Sequence, residues 1–338
     1  MQTQQRPRVQ LRDTGELIAA VPHLLGFRPT ESVVVCVYTY TGLRTQITAC
    51  LRADIPPPDL YVSLAEQLKV PALRANSCVV SLIIVSEHAG RPPDPLPCTE
   101  LVDALTQVFA ASGVFVNHAF WAPRIEANTT WWCYADLECH GSIPDPGSSE
   151  LAAAAATLGT VTYDSKEELR ATLEPADRAP LAARAERISA AVRLCQDETY
   201  AQQLLDTLID EVRAGSWTLD EARLVDLAVA LTNVRVRDGC LRPEVTSIGH
   251  PVERLWSALT RELPAPYRAE PACLLALTAF LRGDGVLAGV ATEIAMEADP
   301  DHRIAMLLRH SMDFGLPPES VARAVAQSFL GPPDNSCR

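Results

Sequence analysis

The spacing of apolar residues changes once along this chain, and that change constrains the fold more than any other feature. Up to about residue 175, short β-branched or alternating runs are interleaved with stretches whose apolar residues recur at helical spacing. From about Pro180 onward only helical spacing remains. Interleaved strands and helices need a sheet covered by helices, whereas helices alone must bury their stripes against one another. The reading is therefore an N-terminal α/β domain over residues 1–175, with a mixed sheet of about five strands, and an all-α domain over 176–338. The boundary is expected near Glu174–Pro180, where Pro175 and Pro180 flank charged and small residues.

In the first half, Asp13 and Thr14 precede a helical pattern over Gly15–Leu25, interrupted by Pro22 and stopped by Gly26. Val33–Thr39 and the alternating Arg44–Ala53, separated by Gly42, predict a β-hairpin. Leu60, Leu64 and Leu68 predict a helix that Pro71 ends. Cys78–Val85 is a near-continuous apolar run, the pattern of a strand buried on both faces. After the proline-rich loop Arg91–Pro97, a helix is expected over Thr99–Ala111, then strands over Val114–Trp121 and Thr129–Ala135. Ile143–Ser149 reads as a loop, Glu150–Leu158 as an alanine-rich helix and Val161–Tyr163 as a short edge strand. Ser165 with Glu168 has the spacing of a capping box.

The second half predicts amphipathic helices over Leu181–Gln196 and Tyr200–Ala214, the latter stopped by Gly215. Thr218 and Glu221 suggest a second capping box, and Pro251 falls in the first turn of another helix. Leu275, Ala276, Gly283, Ala288, Ala295 and Pro300 lie at the spacing of one tetratricopeptide-type helical hairpin. No neighbouring copy follows it, so it reads as a packing unit inside the all-α domain rather than part of a solenoid.

Charge and cysteine usage narrow the function classes. The formal net charge is −13 and both halves are acidic, so no basic half faces a polyanion and nucleic-acid binding is disfavoured. The strongest apolar runs, Val33–Tyr38 and Cys78–Val85, fall far short of the ~20 residues a membrane span needs. Met1–Arg12 is polar and lacks the apolar core of a signal peptide. Ten cysteines scattered through apolar segments read as reduced, buried small hydrophobes, and a cytoplasmic location is expected.

The segment from Glu16 to Val35, Glu-Leu-Ile-Ala-Ala-Val-Pro-His-Leu-Leu-Gly-Phe-Arg-Pro-Thr-Glu-Ser-Val-Val-Val, resembles the opening of an uncharacterised actinobacterial family described only as a domain of unknown function. Trp131–Cys139, Ser165–Pro175 and Leu281–Pro300, which leads into Asp301-His302, resemble the same family, so the likeness spans nearly the whole chain. It implies no activity and no catalytic residues. Where members tend to carry a cysteine pair, this chain has Cys139-His140, which argues against carrying a thiol function over.

Candidate chemistry is sparse. Cys133, Cys139 and His140 are the residues most like a metal set, since thiolate and imidazole suit Zn²⁺, but their spacing is not that of a zinc knuckle. His23 and Arg28 lie on the first helix-to-strand passage, where they would serve as a general base and an anion clamp; packing beside Pro22 and pairing with Glu31 are the structural alternatives. Trp131 and Trp132 must point to opposite faces of a strand, leaving one to meet a covering element or a ligand. Arg235, Arg237 and Asp238 form a polar patch read as a local ion pair, with a partner surface at Arg237 as the alternative. Gly283-Asp284-Gly285 resembles part of a dinucleotide fingerprint, yet the next glycine, Gly289, comes one residue late and a helix precedes. Walker A, HExxH and GxSxG motifs are absent, and no cofactor is expected.

The resulting expectation is a non-catalytic protein that binds another protein or peptide through its helical domain, with no signature of oligomeric state. The alternative is an enzyme whose site lies at strand ends of the α/β domain, near His23, Arg28 and Cys133.

Overall fold

The computed structural model describes residues 9–41, 44–74, 79–88, 92, 94–157, 161–175, 177–194 and 197–328. The chain divides into two compact units, Met1–Glu168 and Leu169–Arg338. The first contains α1 (Thr14–Leu25), β1 (Ser32–Thr41), β2 (Arg44–Asp54), α2 (Tyr61–Arg74), β3 (Val79–Val85), α3 (Thr99–Ala110), β4 (Phe115–Ala122), β5 (Thr130–Cys133), β6 (His140–Ser142) and α4 (Glu150–Thr157). The short α5 (Lys166–Ala171) leads into the second unit.

The strands form one mixed six-stranded sheet in the order β2-β1-β3-β4-β5-β6. Only β3 and β4 are parallel, and α3 makes their crossover; every other neighbouring pair is antiparallel. Successive residues of β1 and β3 point to opposite faces, and Val33, Val34, Val35, Leu82, Ile83 and Ile84 are all fully buried. Strands β1 and β3, both interior to the sheet, therefore need cover on both sides. On one face Val33, Val35, Leu82, Ile84 and Trp121 share a core with Leu68 of α2 and Leu105 and Phe109 of α3. Each such side chain withdrawn from water contributes roughly 1.5–3 kcal/mol before the entropy of ordering is set against it. Across the other face runs α1. Its Gly15 closes on β6, where an added Cβ would stand 2.6 Å from the Ser142 carbonyl, and Phe27 beyond its end lies under the Arg52 guanidinium of β2, 5.6 Å from the ring centre.

Local sequence accounts for the element ends. Asp13 caps α1 by accepting the Glu16 N–H, and Gly26 leaves the helix at φ 79°, a conformation costly for any residue with a Cβ. Ser165 accepts from the Glu168 N–H at 3.0 Å while the Glu168 carboxylate takes the Asp164 N–H at 2.6 Å, a reciprocal cap shifted by one residue. Three expectations need correction. Pro71 does not end α2, which continues to Arg74: Ala65, Leu68 and Ala72 are all buried, and that packing outweighs the hydrogen bond lost at proline. The sheet gains β6, whose His140-Gly-Ser142 sequence has no strand pattern and pairs because β5 presents it with an open edge. Val161–Tyr163 makes only an isolated bridge, Tyr163 to Phe27. Cys78, Leu158, Cys195 and Gln196, at the expected ends of elements, lie outside the described residues.

The second unit is entirely helical among the described residues. It contains α6 (Ala179–Leu194), α7 (Glu198–Ala214), α8 (Glu221–Thr232), α9 (Val234–Gly239), α10 (Pro243–Thr246), α11 (His250–Glu262), α12 (Ala269–Arg282), α13 (Gly285–Ala298), α14 (Arg303–Asp313) and α15 (Pro318–Ser328). Helix α12 is buried nearly all round from Ala269 to Phe280, as expected of a helix at the centre of a bundle, and packs most extensively on α13 and α11. Gly283, at φ 90°, turns α12 into α13, and Asp284 caps α13 through the Leu287 N–H. Asp220, not Thr218, caps α8, because its carboxylate reaches the Arg223 N–H at 2.8 Å. The Arg184 guanidinium, almost wholly buried, hydrogen-bonds Glu221 at the start of α8 and the Glu262 carbonyl at the end of α11. A fixed cation at the carbonyl end of one helix and an acid in the first turn of another both match the helix dipoles. No helix among the described residues is long and apolar enough to cross a membrane.

Two glycines give opposite expectations. A Cβ at Gly141 would meet the buried Trp131 indole at 2.9–3.0 Å, while at Gly289, inside α13, it would meet nothing within 4 Å. Gly141→Ala should destabilise the protein by about 1–3 kcal/mol. Gly289→Ala should stabilise it by roughly 0.5–1 kcal/mol. Thermal denaturation of the two variants beside the parent reads both signs.

Candidate functional site

One end of the sheet collects the start of β1 and the exits of β2, β3 and β4, since Ser32 stands opposite Asp54 and Val85, and Val85 opposite Ala122. Among the described residues, the non-glycine residues with positive φ, Glu31 (41°), Cys98 (58°) and Asn128 (64°), lie in the segments that meet there. Such conformations cost of order 1–3 kcal/mol and persist only where their surroundings hold them. Glu31 is held by two bonds: its carboxylate accepts the Glu87 N–H at 2.7 Å and its carbonyl the Ile55 N–H at 3.0 Å, so it ties three strand ends together. Beside the exits of β3 and β4 is an open cleft of about 610 Å³, lined in part by Glu87, His88, Arg124, Glu126 and Asn128. Arg124 pairs with Glu126 at 3.3 Å, and the His88 ring lies edge-on to Trp121 at 6.2 Å.

Cys98 stands at the start of α3, near Tyr61 at the start of α2; the Tyr134 hydroxyl donates to the Pro97 carbonyl. Burial, then the nearby Glu31 charge, pushes the Cys98 thiol up, and Tyr61 offsets this only in part. Tyr134 is pushed up by burial, with Cys98 and Tyr61 adding to it. A thiol shifted in that direction is not a thiolate at neutral pH, so this cluster packs the sheet end and does not present an activated nucleophile.

The residues singled out from sequence occupy other places. His23 is held at both ring nitrogens, Nε2 on the Pro146 carbonyl at 2.8 Å and Nδ1 on the Thr162 hydroxyl at 2.9 Å. A carbonyl only accepts, so Nε2 carries a proton, while the Thr162 hydroxyl can serve Nδ1 as donor or acceptor. Arg28 pairs with Asp164 at 3.7 Å and not with Glu31, and its backbone N–H is bonded to Tyr163. Cys133 and Cys139 face each other across the β5–β6 turn, where the Cys133 N–H donates to the Cys139 carbonyl at 2.9 Å. Desolvation, then the contact with Cys133, raises the Cys139 thiol. His140 is exposed opposite Trp132. Among the described residues no group of three or more His, Cys, Asp or Glu side chains is arranged to hold a metal ion. Trp131 packs edge-on against Phe120 on one face of the sheet, at 5.3 Å between ring centres, and Trp132 stacks on Trp121 on the other at 5.1 Å. Arg237 pairs with its neighbour Asp238 at 2.7 Å and with Glu270 at 3.3 Å. Glu270 in turn faces the Nε2 of buried His302 at 3.2 Å, while the His302 Nδ1 caps α14 by accepting the Ala305 N–H.

The helical unit carries a second concavity that motif reading missed. A groove of about 510 Å³ runs between the end of α6, the start of α7 and the end of α8. Its floor is small and apolar, with Ala191 and Val192 from α6, Ala201 from α7, and Val229 and Ala230 from α8. Asp197, Glu198 and Asp226 supply the acidic part of its lining. Asp197 caps α7 by accepting the Thr199 and Tyr200 N–H groups, the exposed Tyr200 donates its hydroxyl to Asp226 at 3.3 Å, and Arg235 reaches Glu198 at 3.5 Å. The one sequence signal was an aromatic residue in the first turn of α7, on the polar side of an amphipathic pattern.

Native thiol reactivity separates these environments. Burial pushes the Cys240 thiol up to about 12, with Asp206 adding to it, and drives Cys273 higher still, whereas Cys139 is exposed. A brief thiol-labelling pulse at pH 8 followed by peptide mapping should modify Cys139 and leave Cys240 and Cys273 unlabelled until the protein is denatured. Because the folded state raises these two thiols, their contribution to stability is complete below the unfolded value near 8.5 and is lost as pH rises towards 12.

No curated protein and no solved structure matches this chain. The family model described as Domain of unknown function (DUF4192) matches residues 15–319. The chain belongs to that family, whose description assigns no activity.

Proposed function

We propose that this chain is a non-catalytic binding protein that takes a short segment of another protein in the groove between α6, α7 and α8. The single observation that carries this reading is the groove itself. Its floor of Ala191, Val192, Ala201, Val229 and Ala230 offers apolar surface to an incoming side chain, and its volume of about 510 Å³ lies within the size of small-ligand and side-chain sites. The chemistry elsewhere points the same way. His23 and Arg28 are occupied in contacts that hold α1 to the following loops, and burial raises the Cys98 thiol away from the activated range. A cytoplasmic protein partner fits this reading, with the cysteines kept as reduced packing residues. The strong net acidity of −13 disfavours nucleic acid as the ligand.

A second reading, an enzyme or small-ligand site, is favoured by the cleft at the exits of β3 and β4, because open sheets tend to place ligands beyond the carboxyl ends of parallel strands. One experiment weighs both. A photo-crosslinking amino acid at Val229 should capture a discrete protein in the native cell, and Val229→Arg, which fills the floor, should abolish co-purification of that protein. If co-purification of that protein is indifferent to Val229→Arg but lost in a His88→Ala, Arg124→Ala variant, the sheet-end site replaces the groove.

A further inference from the structure

The groove's chemistry selects its occupant. Asp197, Glu198 and Asp226 line it against one cation, Arg235, so its rim carries a net negative charge above an apolar floor. Arg235 is 83% exposed and 3.5 Å from Glu198, an ion pair of the weak surface kind that an incoming group can displace. Tyr200 is 49% exposed and is anchored at its hydroxyl by Asp226, which fixes a phenol ring and a carboxylate side by side. A side chain suited to this setting has a methylene stem to lie along alanine and valine, and a cationic head to meet carboxylates beside an aromatic ring.

Resting on the binding reading above, we propose that the groove recognises an arginine-bearing basic segment of a partner protein. The arginine stem packs on Val229 and Ala230, and its guanidinium lies between Asp226 and Glu198, replacing Arg235. Arginine fits better than lysine because its planar head pairs with a carboxylate through two parallel hydrogen bonds and stacks on aromatic rings. The net charge of −13 draws a basic partner towards the surface, so association must weaken as salt rises.

The test uses the full chain and fluorescein-labelled dodecapeptides with one central position varied among Arg, Lys, Gln and Leu in a Leu- and Ser-containing background. Fluorescence anisotropy should rank Arg first, at least tenfold tighter than Gln, with Lys between them. Raising NaCl from 50 to 300 mM should weaken the Arg peptide several-fold and leave the Leu peptide unchanged. Asp226→Asn with Glu198→Gln keeps side-chain size and should cut Arg-peptide affinity at least tenfold with an unaltered melting temperature. If Gln or Leu peptides bind as tightly as Arg and Val229→Arg abolishes all binding, the groove binds peptides but the basic specificity proposed here is wrong. If no peptide is lost in Val229→Arg, the groove is not a binding site, and both this proposal and the reading beneath it fall.

Discussion

Strands β1 and β3 have no side that faces water, and the architecture of the first unit follows from that. With Val33 through Val37 and Val80 through Val85 all buried, the polar Ser81 among them, neither face of β1 or β3 can meet water. Helices α2 and α3 must take one face and α1 the other. The close approach of Gly15 to β6 and the seating of Phe27 under Arg52 are the means by which a single twelve-residue helix reaches across the sheet. Polar chemistry is then left to the ends of the strands, where Glu31 knots three of them together and the backbone is most strained. The helical unit meets the same requirement differently: α12 is enclosed by its neighbours, and a buried cation, Arg184, is satisfied by two helix ends at once.

Much of the fold was legible because apolar spacing and helix-stop residues act locally. The runs at Val33–Thr39 and Cys78–Val85 and the glycines after α1, α7 and α12 each specify an element or its end with little help from the rest of the chain. What escaped notice depends on partners distant in sequence. β6 is a strand only because Trp131 and Trp132 offer an edge and Gly141 leaves room for the Trp131 indole. Pro71 should break a helix in isolation, and does not when Ala72 beyond it is packed into the core.

The sites were less legible, for a physical reason. Packing beside Pro22 is one reading of His23, but a sequence carries no hint that Pro146 and Thr162, more than a hundred residues away, occupy both its nitrogens. Arg28 found Asp164 instead of the nearby Glu31, whose carboxylate was already engaged by the Glu87 amide. The groove at α6–α8 carries no motif, since its floor is made of alanines and valines that any helix can contain. Only their convergence, and the clustering of Asp197, Glu198 and Asp226 above them, makes a recognisable surface.

Strand β2 lies at the border of the sheet, eleven residues long, with neither lysine nor proline along it. A border of that length, left straight, is a template for runaway growth of sheet upon sheet. One detail of its register works against this: Val37 faces Ala49 and Tyr38 faces Ile47, so Thr48 has no counterpart and its hydroxyl turns back onto the Val37 carbonyl. The supernumerary residue coils the margin and reverses which side chains face each way beyond it. Two such margins fit together poorly edge to edge, and the unpaired Thr48 joins the charged Arg52 and Asp54 in making this border a poor template.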